Sequence, residues 1–156
     1  MVKLNVVLVE PEIPPNTGNI ARLCAATDST LHLVRPLGFS TDDKALKRAG
    51  LDYWKYVDVV YHRDLQAFLE CVPPERMLLF SKKAQRVYTE APFRQGGYLV
   101  FGKETLGLPQ WLLKRFEAQS YKIPMWGNTR SLNLSTAVGV VVYEGYRCLT
   151  SGFRDF

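Results

Sequence analysis

The chain has few of the residues and segments that mark secreted, membrane-bound or metal-binding proteins. Its three cysteines, Cys24, Cys71 and Cys148, are an odd number without CxxC spacing, so neither a disulfide framework nor a zinc site follows from them. Its two histidines lie far along the sequence from any cysteine cluster, which disfavours a protein-bound metal. No apolar stretch is long enough to span a bilayer, and the apolar start breaks at Glu10 without a signal-peptide cleavage pattern. We therefore expect a cytoplasmic protein that holds no metal and meets no membrane.

What the chain does have is an ordinary globular composition with a modest excess of positive charge. Of its 156 residues, 47% are hydrophobic and 22% charged, and this length suits a single domain, 1–156, with a sizeable core. The net charge of +5 and the pI near 9.2 favour an acidic partner such as nucleic acid. Many enzymes carry a similar charge, so the charge supports an RNA partner only together with other features.

Short apolar runs alternate with helix-like segments along the whole chain. The apolar runs predict strands over 4–10, 30–35, 57–61, 76–81, 97–102 and 121–125. Helical spacing and helix-start signals predict helices from residue 16 onwards and over 42–50, 64–72 and 109–117. This alternation predicts an α/β fold, with a mostly parallel sheet and helices on both faces. Ligands bind such sheets beyond the carboxyl ends of the strands, which directs attention to three loops.

The first loop is "EPEIPPNTGNIAR" (10–22). Its prolines fix a rigid path out of the first strand. Asn16, Asn19 and Arg22 then follow at three-residue steps, which places them on one side of the helix that begins there. Arg22 is either a solvated or ion-paired helix residue, or a cation held at the helix start to bind phosphate or ribose.

The second loop is "FGKETLGLP" (101–109). Gly97, Gly102 and Lys103 match the opening of a Walker A motif, but Glu104 stands where that motif needs a Ser or Thr for Mg²⁺. The four residues between the glycines also form a strand, so we exclude a P-loop NTPase; a Rossmann GxGxxG is absent as well. The remaining feature is a glycine-bounded turn that carries Glu104, either as an ordinary strand–helix connection or as part of a site.

The third loop opens the stretch "NTRSLNLSTAVGVVVYEGYR" (128–147). Its first half is polar, whereas residues 137–142 form the most apolar and β-branched run in the chain. The stretch is either a loop that feeds a buried strand or a ligand-binding turn that caps a buried helix. If a helix starts near Leu132, Ser131 or a neighbour can cap it, and the free backbone amides can meet a ligand.

Together the three loops resemble the motifs of the SPOUT methyltransferases, and of the small bacterial TrmL-like tRNA 2′-O-methyltransferases in particular. "EPEIPPNTGNIARLCA" is similar to the first motif, "FGKETLGLP" to the second and "IPM…TRSLNLSTAV" to the third. The segment 36–54 is also similar, and the motifs stand in the family's order and spacing along nearly the whole chain. The chain departs from the family pattern at Lys103, at Leu106 and in "MWGNT" (125–129).

The resemblance implies an α/β fold with a C-terminal trefoil knot, S-adenosylmethionine bound by the knot loops, and a homodimer. It also implies methyl transfer to the ribose 2′-oxygen of the wobble nucleotide, a cytidine or uridine in the anticodon stem-loop of tRNA. Methylation of ribosomal RNA and a non-catalytic RNA-binding role are the alternatives. The positions that match the family's cofactor site are Phe80, Gly102, Ile123, Ser131 and Leu132. Those that match its catalytic positions are Asn19, Arg22, Glu104 and Asn133, with Asn16 beside them.

Arg22 cannot act as the general base, because a guanidinium stays protonated under ordinary conditions. We expect it to anchor a phosphate or to stabilise the developing alkoxide, and the base to be a phosphate or a water. Several basic or aromatic side chains could contact RNA, although each group is equally consistent with a solvated face or a subunit contact. These are Lys44, Lys47, Arg48, Lys82, Lys83, Tyr143 and Arg147.

Overall fold

Strands and helices alternate along the chain as the sequence predicts, except over 77–101, where strands follow one another without an α-helix between them. The computed structural model describes residues 2–154, and residues 49–52 by their backbone alone. The strands in this part of the chain are β1 (Asn5–Val9), β2 (Thr30–Val34), β3 (Val59–His62), β4 (Met77–Phe80), β5 (Arg86–Val87), β6 (Tyr98–Phe101) and β7 (Ser120–Lys122). The helices are α1 (Pro14–Thr27), α2 (Lys44–Trp54), α3 (Leu65–Cys71), α4 (Gln110–Arg115) and α5 (Leu134–Leu149).

The strands form one parallel sheet in the order β3-β2-β1-β6-β4-β7-β5. Side chains of the central strand β1 alternate between two cores, one on each face of the sheet. Val6 and Leu8 pack in the core that contains the buried residues of α1 and α5. Val7 and Val9 pack in the other core, with the buried residues of α3 and α4. The predicted α/β fold with helices on both faces is thereby confirmed, whereas the C-terminal knot stays a prediction.

Among the helix boundaries that differ from the sequence prediction, those of α1 and α2 have a clear physical cause. Helix α1 begins at Pro14, two residues before the predicted start, because Pro14 and Pro15 occupy the first turn, where a backbone donor has no intrahelical partner. Helix α2 runs through Gly50 to Trp54 instead of ending at residue 50. Its extension is stabilised by packing, because α2 lies against α1 and Trp54 contacts the core.

The last strands also differ from the prediction. Strand β5 covers only Arg86–Val87, which is too short for a periodicity signal, and it was not predicted. Strand β7 ends at Lys122, three residues before the predicted end, so Pro124 lies in the loop that follows it. No helix in the described part of the chain is both long and apolar enough to cross a membrane.

His32 and His62 form a buried pair between β2 and β3. Nδ1 of His32 lies 2.9 Å from Nε2 of His62, and Nε2 of His32 lies 3.0 Å from Oδ1 of Asn5. The two rings stack with their centroids 5.2 Å apart, and the rings of Tyr98 and Phe68 meet them edge-on. Burial, helped by the second imidazole, lowers the pKa of His32 to about 4. Burial also lowers the pKa of His62.

We expect the free energy of unfolding to fall as the pH is lowered from about 6.5 to about 4. In this window the unfolded chain, whose histidines titrate near their ordinary pKa of about 6.5, binds more protons than the folded chain. For His32 the shift to about 4 corresponds to about 3 kcal/mol. Urea unfolding across this window measures the effect. In His32→Asn the free energy of unfolding should depend less on pH. An equal pH dependence in the variant would contradict the assignment of this effect to His32.

Candidate active site

A cavity of about 550 Å³ lies beyond the carboxyl ends of β4, β6 and β7, beside the start of α5. Its wall contains all five positions at which the sequence predicts cofactor contacts. They come from the end of β4, the loop after β6 and the segment between β7 and α5, and they are Phe80, Gly102, Ile123, Ser131 and Leu132. The structure thus brings the five residues together, while their role as cofactor ligands stays a prediction.

The loop after β6 folds back on itself at Gly102. Gly107 donates its N–H to the carbonyl oxygen of Lys103 at 2.9 Å, and Gly107 has a φ of 70° that suits glycine. A Cβ on Gly102 would lie 2.1 Å from the backbone of Gly107 and Leu108. Only glycine fits at residue 102, and the turn therefore presents its backbone to the cavity.

Glu104 connects this loop to the first loop. Its carboxylate accepts hydrogen bonds from the backbone N–H groups of Glu12 (2.8 Å) and Ile13 (2.7 Å) and from the side-chain amide of Asn16 (3.2 Å). Ile13 is the N-cap residue of α1 and has no side-chain acceptor of its own, so Glu104 supplies the negative charge at this helix start.

Asn133 connects the third loop to the same network. Its amide donates to Oδ1 of Asn16 at 3.0 Å, while its own Oδ1 accepts from the backbone N–H groups of Ser135 and Thr136 at the start of α5. Asn133 is therefore the N-cap, and the helix begins at Leu134 rather than near Leu132. The stretch 128–147 is a capped helix rather than a strand, as the family resemblance implies.

Glu104, Asn16 and Asn133 all line the cavity and hydrogen-bond in series, so the three loops are joined through one polar network. Asn19 and Arg22, the other two predicted catalytic residues, lie instead on an exposed part of α1, and neither is among the described residues that line this cavity. The guanidinium of Arg22 lies over the ring of Tyr53, 4.8 Å from its centroid. The ring thus limits the directions in which Arg22 can extend.

Two lysines that the sequence left undecided lie on the cavity wall. Lys82 and Lys83 follow β4 after Ser81, and both line the cavity while remaining exposed. Arg147, another possible RNA contact, is held by Glu144 in an ion pair at 2.7 Å. The guanidinium lowers the pKa of the Glu144 carboxyl.

Among the described residues, no group of three or more His, Cys, Asp or Glu is placed to hold a metal ion.

We expect Glu104→Ala to lower the free energy of unfolding by about 3 kcal/mol, because two backbone donors lose their charged acceptor. Thermal unfolding should then shift downward by roughly 6–12 °C. Glu12→Gln is the matched control: among the described residues, the Glu12 carboxylate accepts hydrogen bonds only from the exposed Thr105, at 3.0 Å (N–H) and 2.7 Å (Oγ1). Its effect should stay below about 1 kcal/mol. An equal loss of unfolding free energy in the two variants would contradict the prediction that the hydrogen bonds of Glu104 stabilise the fold more than those of Glu12 do.

A cavity beyond the carboxyl ends of parallel strands, with polar loops joined across it, is typical of a ligand site in an α/β enzyme. The profile of the SpoU rRNA methylase family matches residues 3–143, and the chain belongs to this family. The SPOUT-class assignment made from the three motifs is thereby confirmed.

Two relatives match over nearly their whole length. The tRNA (cytidine(34)-2′-O)-methyltransferase of Escherichia coli (strain K12) is 51% identical over 147 residues, which cover 94% of both chains. A solved structure described as giving insights into the 2-OH methylation of C/U34 on tRNA shares 51% identity at a TM-score of 0.90 and covers 96% of this chain and 98% of that one. An AdoMet-bound rRNA methyltransferase from Sinorhizobium meliloti shares the fold at 23% identity and a TM-score of 0.83, over 94% of this chain and 57% of that one.

Proposed function

We propose that the chain is an S-adenosylmethionine-dependent tRNA 2′-O-methyltransferase that modifies the ribose of the wobble nucleotide. The observation that carries the proposal is the match, at about half identity and nearly full length, to relatives with this activity. Every residue that lines the cavity falls within the segment that matches the family, 3–143. The site and the family assignment therefore concern the same part of the molecule.

The cavity suits the cofactor in size and in chemistry. Its volume of about 550 Å³ lies within the range of small-molecule sites. Apolar side chains such as Phe80 and Ile123 can cover a purine, and the backbone at Gly102 and Ser131 offers polar groups. The Glu104 carboxylate on the wall suits a cationic ligand. When bound, S-adenosylmethionine supplies a methyl group carried on a sulfonium.

The chain's own residues have two roles, the positioning of the loops and the stabilisation of charge. Asn16, Glu104 and Asn133 hold the three loops in register, as their hydrogen bonds indicate. Arg22 binds a phosphate of the RNA or stabilises the negative charge that develops on the 2′-oxygen. Asn19 lies one helical turn before Arg22 on the same exposed part of α1, where it can contact the same substrate.

The proposal includes a homodimer whose subunits are single domains, acting in the cytoplasm. Two features support a second copy. Arg22 is not among the described residues that line the cavity of its own chain. Tyr143 is exposed and Gly139 has open space beside it on α5, which allows another helix to approach. Analytical ultracentrifugation tests the dimer.

The proposed activity is tested by methylating separated tRNA and ribosomal RNA fractions with labelled S-adenosylmethionine and mapping the modified nucleotide. Label on the 2′-oxygen of the wobble nucleotide supports the proposal. The family's description favours ribosomal RNA as a second candidate substrate. Label confined to the ribosomal fraction would support that substrate, and tRNA label outside the anticodon loop would refute the wobble assignment.

A further inference from the structure

Trp126 is the most exposed of the large hydrophobic side chains that the structure describes, at 91%. It lies between β7 and α5, directly after Met125 and five residues before Ser131, both of which line the cavity. The indole is therefore at the rim of the cavity. An indole can bury 150–250 Å² when it packs, which is among the largest areas that any side chain can bury. The indole of Trp126 buries little of this area within the fold.

The far end of this segment is anchored to the loop that follows β4. Lys82 donates from Nζ to the carbonyl oxygen of Arg130 at 3.2 Å, which ties the segment to the end of β4. At the near end, Pro124 and Met125 are partly buried. Trp126 thus stands on a short segment that is held at both ends rather than on a free tail.

Basic side chains also lie at this edge of the cavity. Lys82, Lys83 and Arg130 lie at the cavity edge or on the segment, and all three are exposed. Within the described part of the chain none of the three takes part in an ion pair. An exposed aromatic ring beside cations that form no ion pair is suited to bind a nucleotide. Bases stack on aromatic rings, while phosphates attract lysine and arginine.

We propose that Trp126 is a stacking platform for an unpaired base of the RNA substrate, with Lys82, Lys83 and Arg130 as the adjoining phosphate contacts. The inference rests on the proposed function, because it takes the ligand at the cavity to be RNA. It deepens that function by assigning the surface that presents a loop nucleotide to the cavity.

The test measures binding of an RNA stem-loop with a single-stranded loop, in the full chain, by fluorescence and by filter retention. Trp126→Ala is expected to weaken binding about 10-fold or more, because a stacked base is lost. Trp126→Phe should retain most of the affinity and Trp126→Leu should not, since Leu is apolar but cannot stack. Trp111→Ala is the matched control: Trp111 is 51% exposed on α4, whose buried residues face the other core.

A salt titration separates the platform from the phosphate contacts. Lys83→Gln should reduce the slope of log affinity against log salt concentration by about one, while Trp126→Ala lowers affinity and leaves the slope unchanged. RNA should quench the tryptophan fluorescence of the wild-type chain, and most of this quenching should disappear in Trp126→Phe.

Three results would overturn the platform. These are unchanged RNA affinity in Trp126→Ala, a loss confined to S-adenosylmethionine affinity, and a change in sedimentation that shows Trp126 contacts a second copy. Methyl transfer by the wild-type chain is measured in parallel. Without methylation of any tRNA the proposed function fails, whereas Trp126-dependent RNA binding would still support the platform; normal methylation with no effect of Trp126→Ala removes only the platform.

Discussion

Arg22→Ala is expected to reduce methyl transfer to tRNA by about 10²–10³-fold, with little change in S-adenosylmethionine affinity. The size follows from the loss of a single charged group that stabilises developing negative charge. The cofactor should be unaffected because Arg22 lies on the exposed part of α1 and does not line the cavity that suits the cofactor. Single-turnover transfer of labelled methyl groups measures the first quantity, and calorimetry measures the second.

Arg35→Ala is the matched control for this variant. Arg35 is also exposed and also lies over a tyrosine ring, that of Tyr61 at 4.6 Å, but at the end of β2. It should keep near-normal transfer. Arg22→Lys should recover only part of the rate, because lysine keeps the charge but lacks the planar fork that binds a phosphate through two nitrogens. Near-normal turnover of Arg22→Ala would remove Arg22 from the mechanism.

The ring of Tyr53 offers a second way to examine Arg22. Tyr53→Phe keeps a ring beneath the guanidinium, whereas Tyr53→Leu keeps an apolar side chain but removes the cation–π contact, which is worth about 0.5–1 kcal/mol at exposed sites. We expect the Leu variant alone to lower the rate, by about 2- to 5-fold, with unchanged cofactor affinity. Tyr61→Leu, which removes the equivalent contact from Arg35, should leave the rate unchanged.

The parallel sheet was predictable from the sequence because its central strands are buried on both faces. Val6 to Val9 are all buried, and such strands read as unbroken apolar runs between helical segments. The same reasoning leaves the stretch 137–142 open, since its β-branched residues favour a strand while the family resemblance favours a helix. Asn133 stabilises the helix by capping its first turn. A cap can be recognised in the sequence only when the first helical residue is known.

The positions of the cavity residues were predictable from the motif resemblance, but their contacts were not. Nothing in the spacing of Glu104 and Ile13, 91 residues apart in sequence, shows that the carboxylate accepts the N–H at the start of α1. The placement of Lys82 on the cavity wall depends on β4 lying between β6 and β7 in the sheet. Such neighbours follow from strand order, which local sequence patterns do not contain.

The second large effect concerns the turn after β6. Gly102→Ala is expected to destabilise the fold by at least about 3 kcal/mol and to weaken S-adenosylmethionine binding at least about 10-fold. The added Cβ would lie 2.1 Å from the backbone carbon of Gly107 and 2.1 Å from the backbone nitrogen of Leu108. Backbone cannot rotate aside as a flexible side chain does, so the turn must open. Because Gly102 and Gly107 both line the cavity, opening the turn changes the wall itself.

Gly127→Ala is the control for this prediction, because a Cβ at residue 127 meets no atom within 4 Å. Its free energy of unfolding and its cofactor affinity should stay close to those of the unaltered chain. Urea unfolding and calorimetry with S-adenosylmethionine measure both quantities for the two variants. If Gly102→Ala fails to fold, residual affinity can be measured in Gly107→Ala, which strains the same turn through its φ of 70° without a contact within 4 Å. Unchanged cofactor affinity in both turn variants would show that the backbone of this loop does not hold the cofactor, because each of them distorts the segment from residue 102 to residue 107 that forms this part of the wall.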